Sequence, residues 1–353
     1  MFYLNSLSNE QRRQLIDARQ VFEAWDAARG RLAAHYAGSM RWAARSGKDY
    51  LLHKRRSVER SIGPRSAGTE AILARFETGR AEVQDEIARL EERLARMAPV
   101  NVALGLARVP RVTARILRRL RDKGLSGSHL RVVGTNALFA YEARAGVLVG
   151  AELLATGDAD LLLDARRSLR LLSDDTRREG VLGVLRQVDR SFAPRSAGDF
   201  RAVNRDGFFV DMVRPQAKDE VRSRKRDRIG EAPADLRAAP IAGLDWLVSA
   251  PSFSETCFDD AGYPVVVDTI DPRAFALHKA WLADQPARDP VKRGRDAAQA
   301  RAAATIAQRH LGLDMDDPAL SALPAVLRER AAALPSPHGP EASSGGDEPP
   351  PWW

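Results

Sequence analysis

Three aspartates in two apolar segments are the residues of this chain best suited to do chemistry. Asp158 and Asp160 stand two apart and run into an apolar stretch at residues 161–163, which is typical of a buried strand. Residues two apart in a strand point to the same face, so the two carboxylates are predicted to lie side by side. Asp211 lies in a second apolar segment, residues 208–213. Because unpaired carboxylates are costly to bury, the pattern predicts a cation or hydrogen bonds beside them.

The aspartates would form one site if their two strands are neighbours in a sheet. Hard oxygen ligands of this kind suit Mg²⁺ or Mn²⁺. Two such ions, roughly 3.5–4 Å apart, can stabilise both the attacking and the leaving oxygen of a phosphoryl transfer. Asp158, Asp160 and Asp211 are therefore the predicted catalytic and metal-binding residues. Each motif also occurs in proteins without catalysis, so the prediction depends on their order and strand context.

A Gly-Thr turn supplies the second half of the predicted site. Gly134 and Thr135 follow a strand-like segment, residues 130–133, and precede a segment with helical spacing, residues 136–143. A glycine lets the backbone approach a phosphate closely, and amides at a helix start attract anions. The Thr135 hydroxyl can donate one more hydrogen bond. Gly134 and Thr135 are therefore predicted to bind a nucleotide.

Taken together, these motifs resemble those of the nucleotidyltransferase fold of the DNA polymerase β superfamily. More narrowly, the chain resembles a bacterial family of uncharacterised nucleotidyltransferase-like proteins. The resemblance covers most of residues 40–310. The segments that carry it are residues 133–138 with Tyr141 and Gly146, residues 156–162, and the N-terminal segments 40–42, 48–51 and 61–66 with Thr69 and Glu70.

The resemblance implies roles for the predicted site residues. Asp158 and Asp160 would bind the catalytic metals, and Asp211 would bind one metal and help to activate an acceptor hydroxyl. In related nucleotidyltransferases, helices after the core often direct basic side chains towards the triphosphate, so Lys279 and Lys292 become candidate nucleotide-binding residues. Thr135 departs from the usual Ser or Gly but keeps a hydroxyl where the family has Ser.

Composition indicates an intracellular protein of more than one unit. The chain has 353 residues, 44% of them hydrophobic, which is enough for a sizeable core. The single cysteine, Cys257, excludes an internal disulfide and a cysteine-based zinc site. The N-terminus turns polar too early for a signal peptide, and no apolar run is long enough to span a bilayer. We therefore expect a cytoplasmic protein without a membrane partner.

The net charge of +8 favours a phosphate-rich partner. Most of this charge is arginine, and alanine is also abundant, which is equally the composition of a protein encoded by G- and C-rich DNA. Two basic segments, residues 115–121 and 222–228, have the same two interpretations, nucleic-acid binding or a solvated surface. For residues 222–228, binding of the triphosphate is a further interpretation. For residues 115–121, binding to a membrane surface is a third reading.

The periodicity predicts an α+β protein with a mixed sheet, flanked by an N-terminal helical region and C-terminal helices, and the resemblance implies that the sheet belongs to a nucleotidyltransferase core. We expect a mainly helical region at 1–124 with a short hairpin of residues 40–42 and 49–52. The core at 125–268 should contain two hairpins, residues 200–203 with 208–213 across the turn 204–207, and residues 253–258 with 264–267. C-terminal helices are expected at 269–334 and a disordered tail at 335–353. The long helix predicted at residues 67–97 has an apolar seam that needs a partner helix, in the same chain or in a homodimer. Trp352 and Trp353, at the end of the tail, have no assigned role.

Two function hypotheses follow. The first is an enzyme that moves a nucleoside monophosphate from an NTP to a hydroxyl of RNA, protein or a small molecule, with a toxin that modifies tRNA as one version. The second is a non-catalytic helical interaction protein with a degenerate nucleotide-binding core. Three acids predicted to face one another favour the enzyme, since a binding scaffold has no need of them.

Overall fold

The computed structural model describes residues 4–45, 47–164, 166, 173–217 and 227–335. It confirms the predicted fold class, with helices, mixed strand pairing and a helical C-terminal part. The described residues fall into two compact units, a smaller one with Asn9–Ala107 and Asp260–Pro264 and a larger one with the remainder. The division into four segments at 124, 268 and 334 stays a prediction. Most of the basic segment 222–228 and of the predicted tail, with Trp352 and Trp353, lies outside the described residues.

The strands alternate with helices along most of the chain. In the described part, the strands are β1 (Leu4–Ser6), β2 (Ser39–Arg45), β3 (Lys48–Arg55), β4 (Val58–Pro64), β5 (Ala107–Val109), β6 (Leu130–Val133), β7 (Val147–Val149), β8 (Asp158–Leu163), β9 (Ala193–Pro194), β10 (Arg201–Val203), β11 (Phe209–Pro215), β12 (Ala239–Ile241), β13 (Ser252–Asp259) and β14 (Pro264–Ile270). The α-helices are α1 (Asn9–His35), α2 (Ala67–Ala103), α3 (Arg111–Asp122), α4 (Leu138–Ala145), α5 (Ala151–Leu154), α6 (Asp174–Val188), α7 (Leu244–Ser249), α8 (Pro272–Ala283), α9 (Pro290–Thr305) and α10 (Ala325–Arg328).

The smaller unit is built on the antiparallel helix pair α1 and α2. Their polar contacts run in opposite order along the two helices: Gln14 bonds Asn101 at 2.8 Å, and Trp25 bonds Glu91 at 3.0 Å. Phe22 of α1 and Phe76 of α2 are buried. Within the described residues, the partner helix of the α2 seam is therefore α1 of the same chain, and the alternative of a homodimer has no support.

A three-stranded antiparallel sheet, in the order β2, β3, β4, completes the smaller unit. The predicted hairpin of residues 40–42 and 49–52 is present as β2 and β3, and β4 adds a strand that the pattern did not predict. The chain then enters α2 through a capping box. The Ser66 side chain accepts from the Thr69 amide, and the Thr69 hydroxyl accepts from the Ser66 amide at 2.9 Å. Such reciprocal bonds satisfy amides that a helix start leaves unpaired.

The main sheet of the larger unit has the order β6, β8, β11, β10, β9, with β12 also beside β11. β8 is antiparallel to β6 and parallel to β11, while β10 is antiparallel to β11, so the sheet is mixed. The predicted hairpin across residues 204–207 is the β10–β11 pair. The second predicted hairpin, β13 and β14, is separate from this sheet and instead forms a three-stranded sheet with β5.

The core of the larger unit lies where the main sheet meets the helices. Tyr141 of α4 is fully buried, and its hydroxyl donates to the Ile270 carbonyl at 2.9 Å. Its ring meets Phe253 and Phe275 edge-on, with centroids 5.4 Å apart in each pair. This packing holds α4, and the turn before it, against α8 and β13. Among the described residues, no helix combines the length and the apolar character needed to cross a membrane.

Candidate active site

The structure brings the three predicted aspartates to one end of two neighbouring strands. β8 and β11 are parallel and in register, with Asp160 paired to Asp211 and Asp158 paired to Phe209. Because side chains alternate along each strand, Asp158, Asp160 and Asp211 share one face of the sheet. We call these three residues the acidic site. The pairing of the strands, on which the sequence argument depended, is therefore present.

The acidic site carries more negative charge than its surroundings neutralise. Burial, and to a lesser extent the neighbouring carboxylates Asp158 and Asp211, raise the pKa of Asp160 to about 7, and Lys279 and Arg201 only partly oppose this rise. A carboxyl group with this pKa keeps a proton near neutral pH unless a cation stabilises its charged form. Such perturbed groups cluster at functional sites.

Arg201 is an unpredicted member of this region. It lies across the hairpin from Asp211 and binds both oxygens of that carboxylate, from Nε at 2.6 Å and from a terminal nitrogen at 2.5 Å. Its guanidinium also lies over the rings of Phe200 and Phe209, 5.5 and 5.0 Å from their centroids. The hydrogen bonds with Asp211 raise the pKa of Arg201. In the predicted hairpin, the four-residue turn at residues 204–207 would place Arg201 opposite Val210. The register in the structure is shifted by one residue, so the contact between Arg201 and Asp211 was not predicted.

Asp158 is positioned by two polar neighbours. The Thr156 hydroxyl donates to the Asp158 carboxylate, and the Asn136 side-chain amide donates to the Asp158 backbone carbonyl at 2.8 Å. Asn136 is buried, and its side-chain oxygen has no partner among the described residues. The turn after β6 is thereby tied to the start of β8, where the acidic site begins.

Gly134 lies directly against the acidic site. β6 pairs with β8 so that Val133 is opposite Asp160, and the chain then turns through a short 3-10 helix, Gly134–Ala137, into α4. Gly134 has a φ of 68°, a backbone conformation that other residues rarely adopt. A Cβ at this position would overlap the Asp160 carboxylate. The glycine is therefore required for the turn and for the close approach, and its contact with nucleotide stays a prediction.

Thr135 is oriented by a residue that lies far away in the sequence. The Gln299 side-chain amide donates to the Thr135 hydroxyl oxygen at 3.1 Å and to the Leu153 carbonyl at 2.8 Å. A backbone carbonyl can only accept, so this contact fixes which end of the Gln299 amide faces Thr135. The Thr135 hydroxyl then accepts from Gln299, and its hydrogen has no acceptor among the described residues. Thr135 is thus prepared to donate to a ligand.

The two predicted lysines have different surroundings. Lys279 is buried and donates to Asp296 at 2.7 Å, and Arg288 holds the other oxygen of that carboxylate at 2.7 Å. We call Lys279, Arg288 and Asp296 the Lys279 cluster. Burial lowers the pKa of Lys279, although Asp296 and Asp160 oppose this effect. The structure therefore places Lys279 within electrostatic reach of the acidic site.

Lys292 is exposed near the start of α9, and its side chain makes no polar contact with another described residue. The structure does not bring it to the acidic site. His278 packs against Trp246 and Trp281, with ring centroids 6.4 and 5.8 Å away. Burial lowers its pKa to about 3, so it stays neutral.

The carboxylate oxygens of the acidic site are the type of ligand that a divalent cation prefers, although they are not arranged as a complete coordination shell. Within the described ranges, no three His, Cys, Asp or Glu side chains are already grouped as a metal site. Asp211 forms an ion pair with Arg201, which already neutralises the charge of its carboxylate. Asp158 and Asp160 are hard oxygen donors, and the raised pKa of Asp160 means that its charged form lacks compensating positive charge.

A mixed sheet with two aspartates on one strand, a third on its neighbour and a Gly-Thr turn opposite them defines a nucleotidyltransferase-type fold. A family model described as nucleotidyltransferase matches residues 111–324, more than half of the chain. The chain belongs to this nucleotidyltransferase family. No curated protein and no solved structure matches the chain significantly.

Proposed function

We propose that this protein is a metal-dependent nucleotidyltransferase that moves a nucleoside monophosphate from an NTP to a hydroxyl acceptor. Membership of the family supports nucleotidyl transfer in general. The observation that carries the proposal is the in-register pair Asp160 and Asp211 beside Asp158, with the pKa of Asp160 raised to about 7. A scaffold without catalysis gains nothing from this surplus of negative charge.

Each member of the site has a proposed task. Asp158, Asp160 and Asp211 would hold Mg²⁺ or Mn²⁺, which supplies charge neutralisation for the reacting phosphate when bound. Binding would require Arg201 to release Asp211. Gly134 and Thr135 would contact the triphosphate through the close backbone and the Thr135 hydroxyl. Lys279 would add positive potential at the acidic site, while Lys292 stays a candidate by analogy only.

The transfer itself is a single displacement. The acceptor oxygen forms a bond to the α-phosphorus, and the bond from that phosphorus to the bridging oxygen breaks, so pyrophosphate leaves. The hydroxyl proton goes to the Asp211 carboxylate after Arg201 has released it. Positioning and charge stabilisation are the main tasks of protein side chains in reactions of this class. A cytoplasmic location, a kinship with polymerase β and a role as a tRNA-modifying toxin remain predictions.

The direct test is transfer of label from each α-labelled NTP to a mixture of cellular RNA and protein, with Mg²⁺ or Mn²⁺. Wild-type protein should label an acceptor, and Asp158→Ala should not. Asp206→Ala serves as the matched control, because Asp206 is an exposed acid in the hairpin turn next to β11. If the wild type shows neither transfer nor metal-dependent nucleotide binding, the proposal is wrong and the interaction-protein hypothesis replaces it.

A further inference from the structure

An open cavity of about 710 Å³ lies between α3 and the end of α6, within the larger unit. Three of its six lining residues are arginines: Arg119 from α3, Arg186 from α6 and Arg190 just after α6. The other three are Gly183, Gln187 and Val188, so no acidic side chain lines it. A concave surface lined by one sign of charge concentrates the electric field and attracts the opposite charge.

The three guanidinium groups are available for a ligand. All three arginines are exposed. Arg186 donates from Nε to the Phe192 carbonyl at 3.1 Å. This bond holds the side chain in place and leaves its two terminal nitrogens to contact a ligand. Arg119 is 3.8 Å from the exposed Asp122, a weak contact. Arg190 makes no hydrogen bond or ion pair with another described residue.

The basic character continues along α3. Arg111, Arg115 and Arg119 recur every four residues and are exposed, so they form a stripe on one face of the helix. The stripe spans roughly 12 Å, at 1.5 Å per residue. Arg115 also donates to the Val188 carbonyl at 2.5 Å, which ties α3 to the end of α6. The basic segment noted in the sequence thus forms one side of the cavity and extends beyond it.

The end of α6, which lines the cavity, is bonded to the hairpin turn that enters β11. Just after α6, the Ser191 hydroxyl accepts from the Arg205 amide at 3.0 Å, and Asp189 accepts from the Asn204 side chain at 3.1 Å. Asn204 and Arg205 begin the hairpin turn that enters β11, and the first residue of β11 is paired with Asp158. The end of α6 beside the cavity is therefore tied, through this turn, to the strand that carries Asp211.

We propose that this cavity binds the phosphodiester backbone of a nucleic-acid strand that is the acceptor of the transferred nucleotide. Guanidinium forks match phosphate oxygens in a bidentate geometry. A row of arginines longer than a single triphosphate suits a chain of phosphates, and the absence of an aromatic lining residue argues against a site for one stacked base. The acceptor role rests on the proposed function, whereas binding of the strand does not.

Binding is measured on the full chain carrying Asp158→Ala, without NTP, so that no turnover takes place. The probes are an end-labelled hairpin RNA with a single-stranded 3′ end and DNA of the same sequence, each at several salt concentrations. The test variant adds Arg119→Ala, Arg186→Ala and Arg190→Ala. The matched control adds Arg75→Ala, Arg89→Ala and Arg93→Ala, which remove the same charge from exposed positions of α2.

The cavity variant should weaken strand binding roughly tenfold or more and lower the salt slope by about 2, as loss of three phosphate contacts predicts. The control should stay within about twofold of the parent. Arg119→Ala with Arg190→Ala is a second variant that removes no hydrogen bond among the described residues, and it should show most of the loss. Tighter binding of RNA than of DNA would identify the sugar type of the strand.

Equal losses in the cavity and control variants would show that only overall charge matters and would overturn the proposal. Binding to acidic phospholipid vesicles without binding to RNA or DNA would also overturn it in favour of a membrane surface. If the strand binds at the cavity but no label is transferred, the transferase proposal fails while the binding site stands. If label goes to protein or a small molecule and no strand binds, the binding-site proposal fails while the transferase proposal stands.

Discussion

The acidic site and the Lys279 cluster are two groups of partly or fully buried charges that lie close together in one unit, and they are balanced differently. In the Lys279 cluster, burial raises the pKa of Asp296, but Lys279 and Arg288 outweigh it and the net pKa is lowered. In the acidic site, burial and the neighbouring acids together raise the pKa of Asp160 to about 7. In the Lys279 cluster two cations compensate the one carboxylate, whereas the acidic site requires a proton or an external cation.

The difference separates a structural role from a chemical one. Two cations that hold both oxygens of Asp296 stabilise the junction of α8 and α9. The acidic site has three carboxylates, and Arg201 pairs directly with one of them, Asp211. The site therefore lacks positive charge, which a metal ion would supply. Buried ion pairs are costly to break, and unbalanced buried charges are costly to keep. Substitutions in the two groups should therefore have opposite effects on stability.

The largest effect should be on activity. Asp160→Ala, like Asp158→Ala, should lower the rate of label transfer by a factor of roughly 10⁴, which corresponds to about 5 kcal/mol of lost metal-assisted stabilisation. The protein should stay folded, because removing a carboxylate relieves repulsion in the metal-free site. Transfer rates and circular dichroism of the same preparations check both parts. Unfolding together with loss of activity would show that the acids are structural.

The Lys279 cluster should respond in the opposite way. Asp296→Ala leaves Lys279 and Arg288 without their shared carboxylate and should lower the free energy of unfolding by about 3–5 kcal/mol. Urea denaturation of the metal-free protein measures this change. The paired substitution of Asp296→Leu with Lys279→Met should recover most of the loss, since no uncompensated charge then stays buried. A loss below about 1 kcal/mol for Asp296→Ala would remove the contrast between the two groups.

The acidic site should also make the stability of the protein depend on pH. In the folded, metal-free protein Asp160 keeps its proton up to about pH 7, whereas the unfolded chain loses it near pH 4. The folded state therefore binds more protons in this window, and stability falls as the pH rises through it. Asp160→Asn should remove this fall and be more stable than wild type at pH 8 by about 4 kcal/mol, with little difference at pH 4.

Thermal or urea unfolding in the presence of a chelator at the two pH values makes this measurement. Asp206→Asn is the control, since Asp206 is exposed in the hairpin turn and should show no such difference between pH 4 and pH 8. If Asp160→Asn matches wild type at both pH values, the carboxyl group is not under strain. The acidic site would then resemble an ordinary polar surface rather than the counterpart of the Lys279 cluster.

The strands that hold the three aspartates could be predicted from the sequence, because alternation along a strand and a short hairpin turn depend only on neighbouring residues. Asp158 with Asp160, the hairpin before Asp211 and the turn at Gly134 could all be predicted in this way. The relations between distant segments could not be predicted. They include the separation of the β13–β14 hairpin from the main sheet, the bond from Gln299 to Thr135, and the Lys279–Asp296 ion pair. These depend on how helices pack on the sheet, which periodicity does not specify. Charge alone made Lys279 and Lys292 equivalent, and burial distinguishes them.

The smallest effect concerns the side of the site that is proposed to hold the anionic triphosphate. Thr135→Val removes the hydroxyl at nearly constant volume and should raise the KM for NTP about tenfold, the equivalent of one good hydrogen bond to a charged group. Thr135→Ser should keep near-normal KM. Gln299→Met should raise KM to a similar extent, because Thr135 loses the donor that turns its hydrogen towards the ligand.

A double-mutant cycle separates this orienting role from simple packing. If Gln299 acts through Thr135, adding Gln299→Met to Thr135→Val should change the KM by less than about twofold, since the bond that Gln299 orients is already gone. Changes that multiply instead would mean that Gln299 only supports the fold around Leu153. In either case kcat should move less than KM, because the acidic site, with its surplus of negative charge, is unchanged. The cycle therefore tests whether triphosphate binding and charge neutralisation are separable tasks in this site.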